Sequence, residues 1–135
     1  MESFQVRTSG RTEFREITAE VEAAVARAGV SAGWALVYVP HTTAGITINE
    51  HADPSVIHDI AEALERMAPW EQPFYRHGEG NSAAHIKASL MGSSVSIPVE
   101  RGRLALGQWQ GVFLCEFDGP RTREVWVQIT GVNNL

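Results

Sequence analysis

Hydrophobic and polar residues alternate along the chain with two different periods, and each period marks its own kind of element. Near the start, SFQVRT sets Phe4 and Val6 against polar neighbours at every second position, the repeat of a half-buried strand. The repeat then lengthens. In ITAEVEAAVARAG, the residues Ile17, Val21, Ala24, Val25 and Ala28 fall on one helical face, with Thr18 placed to cap the start and Gly29 to stop the end. GWALVYVP (33–40) is a β-rich apolar run stopped by Pro40. AGITINE (44–50) sets Ile46 and Ile48 against Thr47 and Asn49, a second half-buried strand. Asp53–Pro54 then predicts a helix start: Asp accepts from free N–H groups, and Pro gives up only an N–H that would lack a partner. This helix runs to about Met67, with Ile57, Ile60, Leu64 and Met67 facing the core.

From Ala68 to Gly80 the pattern lapses into a loop rich in Pro, Gly and aromatics, and long ordered loops in compact domains are more often functional than idle. NSAAHIKASLMG follows as a short helix, capped by Asn81 or Ser82 and ended by Gly92. The last third is strand-like: SSVSIPV, GRLALGQWQGVFLCEF and EVWVQITGV, separated by turns at Val99–Gly102 and Asp118–Arg121. In the middle run, Gln108 and Gln110 share a face with Leu106, Val112 and Glu116, and Trp109, Phe113 and Phe117 line the other, unless Gly107 and Gly111 mark a bulge. With strands outnumbering helices and no linker, the pattern predicts one α+β domain over residues 1–135.

Composition narrows the function classes. A chain of 135 residues, 44% hydrophobic and 20% charged, is long enough to bury a core. No apolar run approaches the ~20 residues of a membrane span, and MESFQVRTSG lacks a signal pattern, so the expectation is a cytoplasmic protein with no membrane partner. The net charge of −5, with Lys and Arg scattered, argues against nucleic acid as a partner. The lone Cys115 excludes an internal disulfide and a Cys-based zinc knuckle, and its apolar setting predicts a small buried residue.

The candidate chemistry lies with five histidines, His41, His51, His58, His77 and His85, four of them at element edges. Asn81, His85 and Ser89 recur at i, i+4 and i+8 on one helical face, whose N-terminus attracts anions; Lys87 is expected in solvent there. His41, His77 and His85 would suffice for a zinc site with an open fourth position, although the spacing matches no standard metal signature. The alternative is a metal-free acid–base site in which Glu50 or Glu116 orients a histidine. His41 and the Asn49–Glu50 pair head and tail one short strand, so at ~3.3 Å per residue they cannot touch directly.

Taken together, HTTAGITINE with DP…HD, H.EGN…HIKASLMG, SIPV..GRLALGQWQG and CEFDG make the chain resemble the YjbQ-like family, also called the secondary thiamine-phosphate synthase family, from about residue 3 to 133. The resemblance implies an α+β fold around a β-sandwich of mixed or antiparallel strands with two to three helices, assembled as a homotrimer. It also implies a cleft at a subunit boundary, lined here by His41, Asn49, Glu50, His58, His77, His85, Ser89, Trp109, Gln110 and Glu116. The activity it implies is low-level joining of the thiamine pyrimidine and thiazole phosphate units. On that reading His41, His77, His85, Glu50 and Glu116 are catalytic, and Asn49, Asn81, Ser89, Trp109 and Gln110 bind a phosphorylated small molecule. Two alternatives stand beside it: a hydrolase or lyase using a divalent ion (Zn or Mg) on His41, His77 and His85, and a non-catalytic trimer that binds an anionic metabolite. The chain departs from the family where it reads NEHADP, with His51 in place of a usual Asn, and in a shortened approach to His85.

Overall fold

The computed structural model describes residues 1–132; residues 133–135, included in the expected single domain, lie outside the described residues. The elements run β1 (Glu2–Arg7), β2 (Glu13–Glu16), α1 (Thr18–Ala28), β3 (Ala32–Tyr38), β4 (Ala44–Glu50), α2 (Pro54–Met67), α3 (Ser82–Met91), β5 (Ser94–Glu100), β6 (Arg103–Leu104), β7 (Gln110–Glu116) and β8 (Thr122–Gly131). The strands form two antiparallel sheets, one of order β1-β8-β3-β5-β6 and one of order β2-β7-β4. The α+β sandwich expected from the pattern and the resemblance is therefore present.

Burial explains the layering. The inward faces of both sheets and the apolar stripe of α1 make the main core, from Val6, Val21, Val25, Val37, Ile97 and Val127 to Ile46, Val112 and Leu114. On β7 the alternate residues Cys115 and the following Phe117 face the other way, into a second core with Leu64 of α2 and Ala84 and Ala88 of α3. The smaller sheet is thus covered on both sides, which is why GVFLCEF reads as continuous apolar sequence. Among the described residues the larger sheet is covered on one side only, and its open face carries Trp34, Leu36 and Tyr38 at 37–46% exposure. Burial pushes the Cys115 thiol well above its ordinary range, so it is an inert core residue, as its setting predicted.

Several local expectations change. The long run from 103 to 116 is two strands: a turn intervenes in which Gln110 N–H donates to Gly107 O and Gln110 Oε1 accepts from Gly107 N–H. Trp109 therefore sits exposed on a turn, not on a strand face with Phe113. Asp53 caps α2 through Ser55 N–H at 3.0 Å and Gly29 ends α1 at φ +66°, both as expected. Thr18, by contrast, is the first helical residue of α1; its hydroxyl donates to Glu16 and accepts from Val112 N–H, tying the helix to β7 instead of capping it. Met67 is exposed at the end of α2, past the edge of the core. Lys87 is buried, its stem within the helical layer and its ammonium on Glu65 of α2, so it braces the two helices and is not a solvated charge.

One contact positions everything that follows. A Cβ on Gly45 of β4 would lie 2.7 Å from Gly92 O and 3.0 Å from Met91 Cβ, and Ile46 N–H donates to Gly92 O at 3.0 Å. The end of α3 thus rests directly on the start of β4, beside the loop that carries His41.

Candidate functional site

The expected site residues divide into two groups by the β4–β7 register, in which Ala44 faces Glu116 and Glu50 faces Gln110. At one end of β4 lie His41, His85 and Ser89; about 20 Å away, at the other end, lie Asn49, Glu50, Trp109 and Gln110. One chain does not bring the two groups together.

At the first end, His41 and Thr42 from the β3–β4 loop face His85 and Ser89 of α3 across a groove of about 500 Å³, closed by Gly92 and Ser93. No carboxylate is among the described residues lining it. Ser89 donates its hydroxyl proton back to His85 O at 2.9 Å, so it offers lone pairs to the groove. His41 Nε2 accepts the Glu124 amide N–H at 2.9 Å. Burial first, then the charge of Arg123, holds the His41 imidazolium below its ordinary range, against the opposing pull of Glu124 and Glu116. Thr42 and Ser93 escaped the sequence reading; the signal for them was the pair of hydroxyl runs, HTTA and GSS, that flank the groove.

His85 also walls a second groove, of about 440 Å³, with His77, Phe74, Tyr75 and Ile86. The His77 and His85 rings meet edge-to-face with centroids 5.3 Å apart. The expected three-histidine metal cluster does not form within the chain: no three His, Cys, Asp or Glu side chains converge to hold an ion among the described residues. The donor set does not fit either, because His41 spends its Nε2 lone pair on a backbone amide.

Glu116 is also corrected as a catalytic base. It is fully buried, and both carboxylate oxygens are occupied: Oε1 accepts from Thr8 Oγ1 at 2.8 Å and Arg123 Nε at 2.9 Å, Oε2 from Asp118 N–H at 2.9 Å and from Arg123 Nη2. Arg123 Nη2 donates in turn to Thr43 Oγ1 at 2.8 Å. Burial by itself would raise the Glu116 carboxyl, but the guanidinium, the amide and the Thr8 hydroxyl outweigh it and hold the group below the ordinary carboxylate range. Glu116 is the anchor under the His41 loop and has no free face for chemistry.

The remaining residues stand apart. Asn81 is buried beside the start of α3 and leaves the helix uncapped; its amide donates to Asp118 at 2.9 Å, and its Oδ1 has no partner among the described residues. His58 on α2 contacts Asp59 at 3.0 Å and lines a different groove with Arg11 and Glu62. At the far end, Asn49 Oδ1 accepts from Glu50 N–H and Glu50 Oε2 from Asp53 N–H, local bonds that shape the entry to α2. His51, where the chain departs from the family, pairs with Glu16 of β2 at 3.0 Å, and that bond chiefly raises its pKa.

Known proteins match the chain over nearly its full length. The family model described as "UPF0047 protein YjbQ-like" matches residues 2–132. The UPF0047 protein YugU of Bacillus subtilis is 50% identical over 131 residues, 97% of this chain and 99% of the relative. A crystal structure of a YjbQ/UPF0047-family protein from Clostridium acetobutylicum superposes with a TM-score of 0.94 at 53% identity, covering 96% of this chain and all of the other. A YbjQ-like protein of unknown function from Sulfolobus solfataricus gives a TM-score of 0.92 at 34% identity, covering 97% and 96%.

Proposed function

The chain belongs to the UPF0047 YjbQ-like family, whose role is unknown, and from that premise we propose that it is an enzyme acting on a small phosphorylated molecule in the groove between His41 and His85. The observation that carries this reading is the lining of that groove. His41, His85, Thr42 and Ser93 supply polar N–H and O–H groups, and no described carboxylate opposes an anion there. Its volume lies within the range of small-molecule sites. The reaction we assign is weak thiamine-phosphate synthase-type transfer, in which a diphosphate leaves a pyrimidine methylene as a thiazole nitrogen attacks. Hydrogen-bond donors at the leaving diphosphate would stabilise the charge that develops on it. The aromatic groove beside His85 would hold a ring out of water. Purified protein given the two half-molecules should form thiamine phosphate slowly, and His85→Ala should lower the rate by about 100-fold or more. A rate that His85→Ala leaves unchanged would mean that a contaminant makes the product.

Assembly belongs to the same proposal. Trp34, Leu36 and Tyr38 form an apolar stripe on a sheet face that no element covers among the described residues, with the Trp126 ring tilted against Tyr38 at 5.8 Å between centroids. Homotrimer formation would bury this stripe and bring Glu50 and Trp109 of one copy towards the His41 groove of another. Light scattering should give three times the 14.8 kDa chain mass, and Trp34→Glu with Leu36→Glu should give the single chain. A wild-type monomer at micromolar concentration would remove the trimer and leave the far-end residues without a part in the site.

A further inference from the structure

We infer that His41 is a fixed, uncharged hydrogen-bond donor that selects an oxyanion in the His41–His85 groove, and is neither a proton acceptor nor a metal ligand. The assignment follows from the partners of the ring's two nitrogens. Nε2 accepts the Glu124 backbone N–H at 2.9 Å, so its lone pair is engaged and it carries no proton. A neutral imidazole has one N–H, which must then be on Nδ1. Nδ1 has no hydrogen-bond partner among the described residues, and the ring lines two grooves, one with Thr42 and Ser89 and one with Arg121 and Trp126.

Three features of the fold keep the ring in this state. A second proton on Nε2 would point at the Glu124 amide hydrogen and break the bond. The amide cannot move away, because Glu124 sits in β8 between Arg123 and Val125, both buried. Arg123, held by Glu116 and Thr43 in the wall of a groove that His41 also lines, places a positive charge where an imidazolium would be repelled. The charged groups that face His41 are Arg121, Arg123 and Glu124 from β8 and the segment before it, and Glu116 from β7.

A neutral N–H donor discriminates by chemistry. It rewards a ligand oxygen that brings lone pairs and negative charge, and it gives nothing to an ammonium or a metal-bound water, whose hydrogens would face its own. The ligand class is therefore an ionised phosphate or diphosphate oxygen. This rests on reading the groove as an anion site, and two measurements separate the two claims.

The first is ligand-free. Long-range ¹H–¹⁵N correlation on the full wild-type chain at about pH 7 to 8 should show His41 with a protonated Nδ1 and an unprotonated Nε2. An Nε2–H tautomer, or a doubly protonated ring at neutral pH, overturns the inference whatever the groove binds. The second uses inorganic pyrophosphate as probe, followed calorimetrically. Asn places its amide N–H near the Nδ1 position and Gln near Nε2. His41→Asn should therefore keep affinity within about threefold, while His41→Gln should lose about tenfold or more, the cost of one hydrogen bond to a charged group. Equal loss in the two variants overturns the inference. A wild-type chain that does not bind pyrophosphate overturns the anion-site reading, and with it the selection of an oxyanion, while the correlation spectrum still decides the tautomer.

Discussion

Glu116→Gln is expected to lower the unfolding free energy by about 3–5 kcal/mol, the cost of removing one partner from a buried ion pair. The magnitude follows from what is left behind. Arg123 remains 2% exposed with its charge intact, and the carboxylate that took two of its N–H bonds is gone. An exposed pair such as Arg27–Glu2 has water to replace a lost partner and contributes little. Thermal melts should fall by about 10–20 °C. A loss below about 1 kcal/mol would mean that water reaches the Arg123 guanidinium and that the network is not closed. Replacing both partners with apolar residues, Glu116→Leu with Arg123→Met, should recover part of the loss, because no buried charge then remains while the Asp118 N–H loses its acceptor.

The same pair dictates an acid dependence. The native Glu116 carboxyl is held below the ordinary range, so its contribution is complete above the pKa of the unfolded carboxylate. It is lost as the pH falls through the native value. Wild-type stability should therefore drop on the acid side more steeply than that of Glu116→Gln, and the two curves should approach one another there.

Gly45→Ala is the second large effect, expected to cost about 1–3 kcal/mol through overpacking. The added methyl meets backbone oxygen at 2.7 Å from Gly92 and 3.3 Å from Ala88, atoms that flexible side-chain motion cannot relieve. Relief requires the end of α3 to lift from β4, which strains the Ile46–Gly92 hydrogen bond and widens the groove between His41 and Ser89. Pyrophosphate affinity should fall along with stability. Gly78→Ala is the control: nothing lies within 4 Å of the added Cβ, and a change within about 0.5 kcal/mol is expected. If Gly45→Ala is as silent as Gly78→Ala in calorimetric melts, α3 is not seated as closely as described.

What could be read in the sequence was mostly local. Asp53–Pro54 and Gly29 mark helix ends through their own backbone chemistry, and Ile46 with Ile48 marks a strand through its period. β2 was invisible because EFRE has one apolar residue and becomes a strand only by pairing with β7, about 100 positions later. The β6–β7 break was hinted at by Gly107 but depends on the Gln110 side chain closing the turn. At the site, the resemblance named His41 and His85 together, yet their meeting depends on Gly92 resting on Gly45. Glu116 was suspect as a polar residue on an inward face. Its partner Arg123 went unread, although it stands on the same alternating face as Val125 and Val127.

The pairing of β1 with β8 carries a consequence for how the chain reaches this state. Glu2 lies opposite Val127 and Arg7 opposite Thr122, so the first strand finds its neighbour only among the last residues described. Closing that loop must precede any gain from the contact, which places the protein among slow, non-local folders. A chain growing from the ribosome would hold β1 unpaired until β8 emerges, with β3 also lacking one of its two neighbours. During that interval Trp34, Leu36 and Tyr38 belong to an unfinished sheet. Expression at a slower synthesis rate, or with a chaperone that shields strand edges, should raise the soluble yield more for this fold than for a helical protein of equal length.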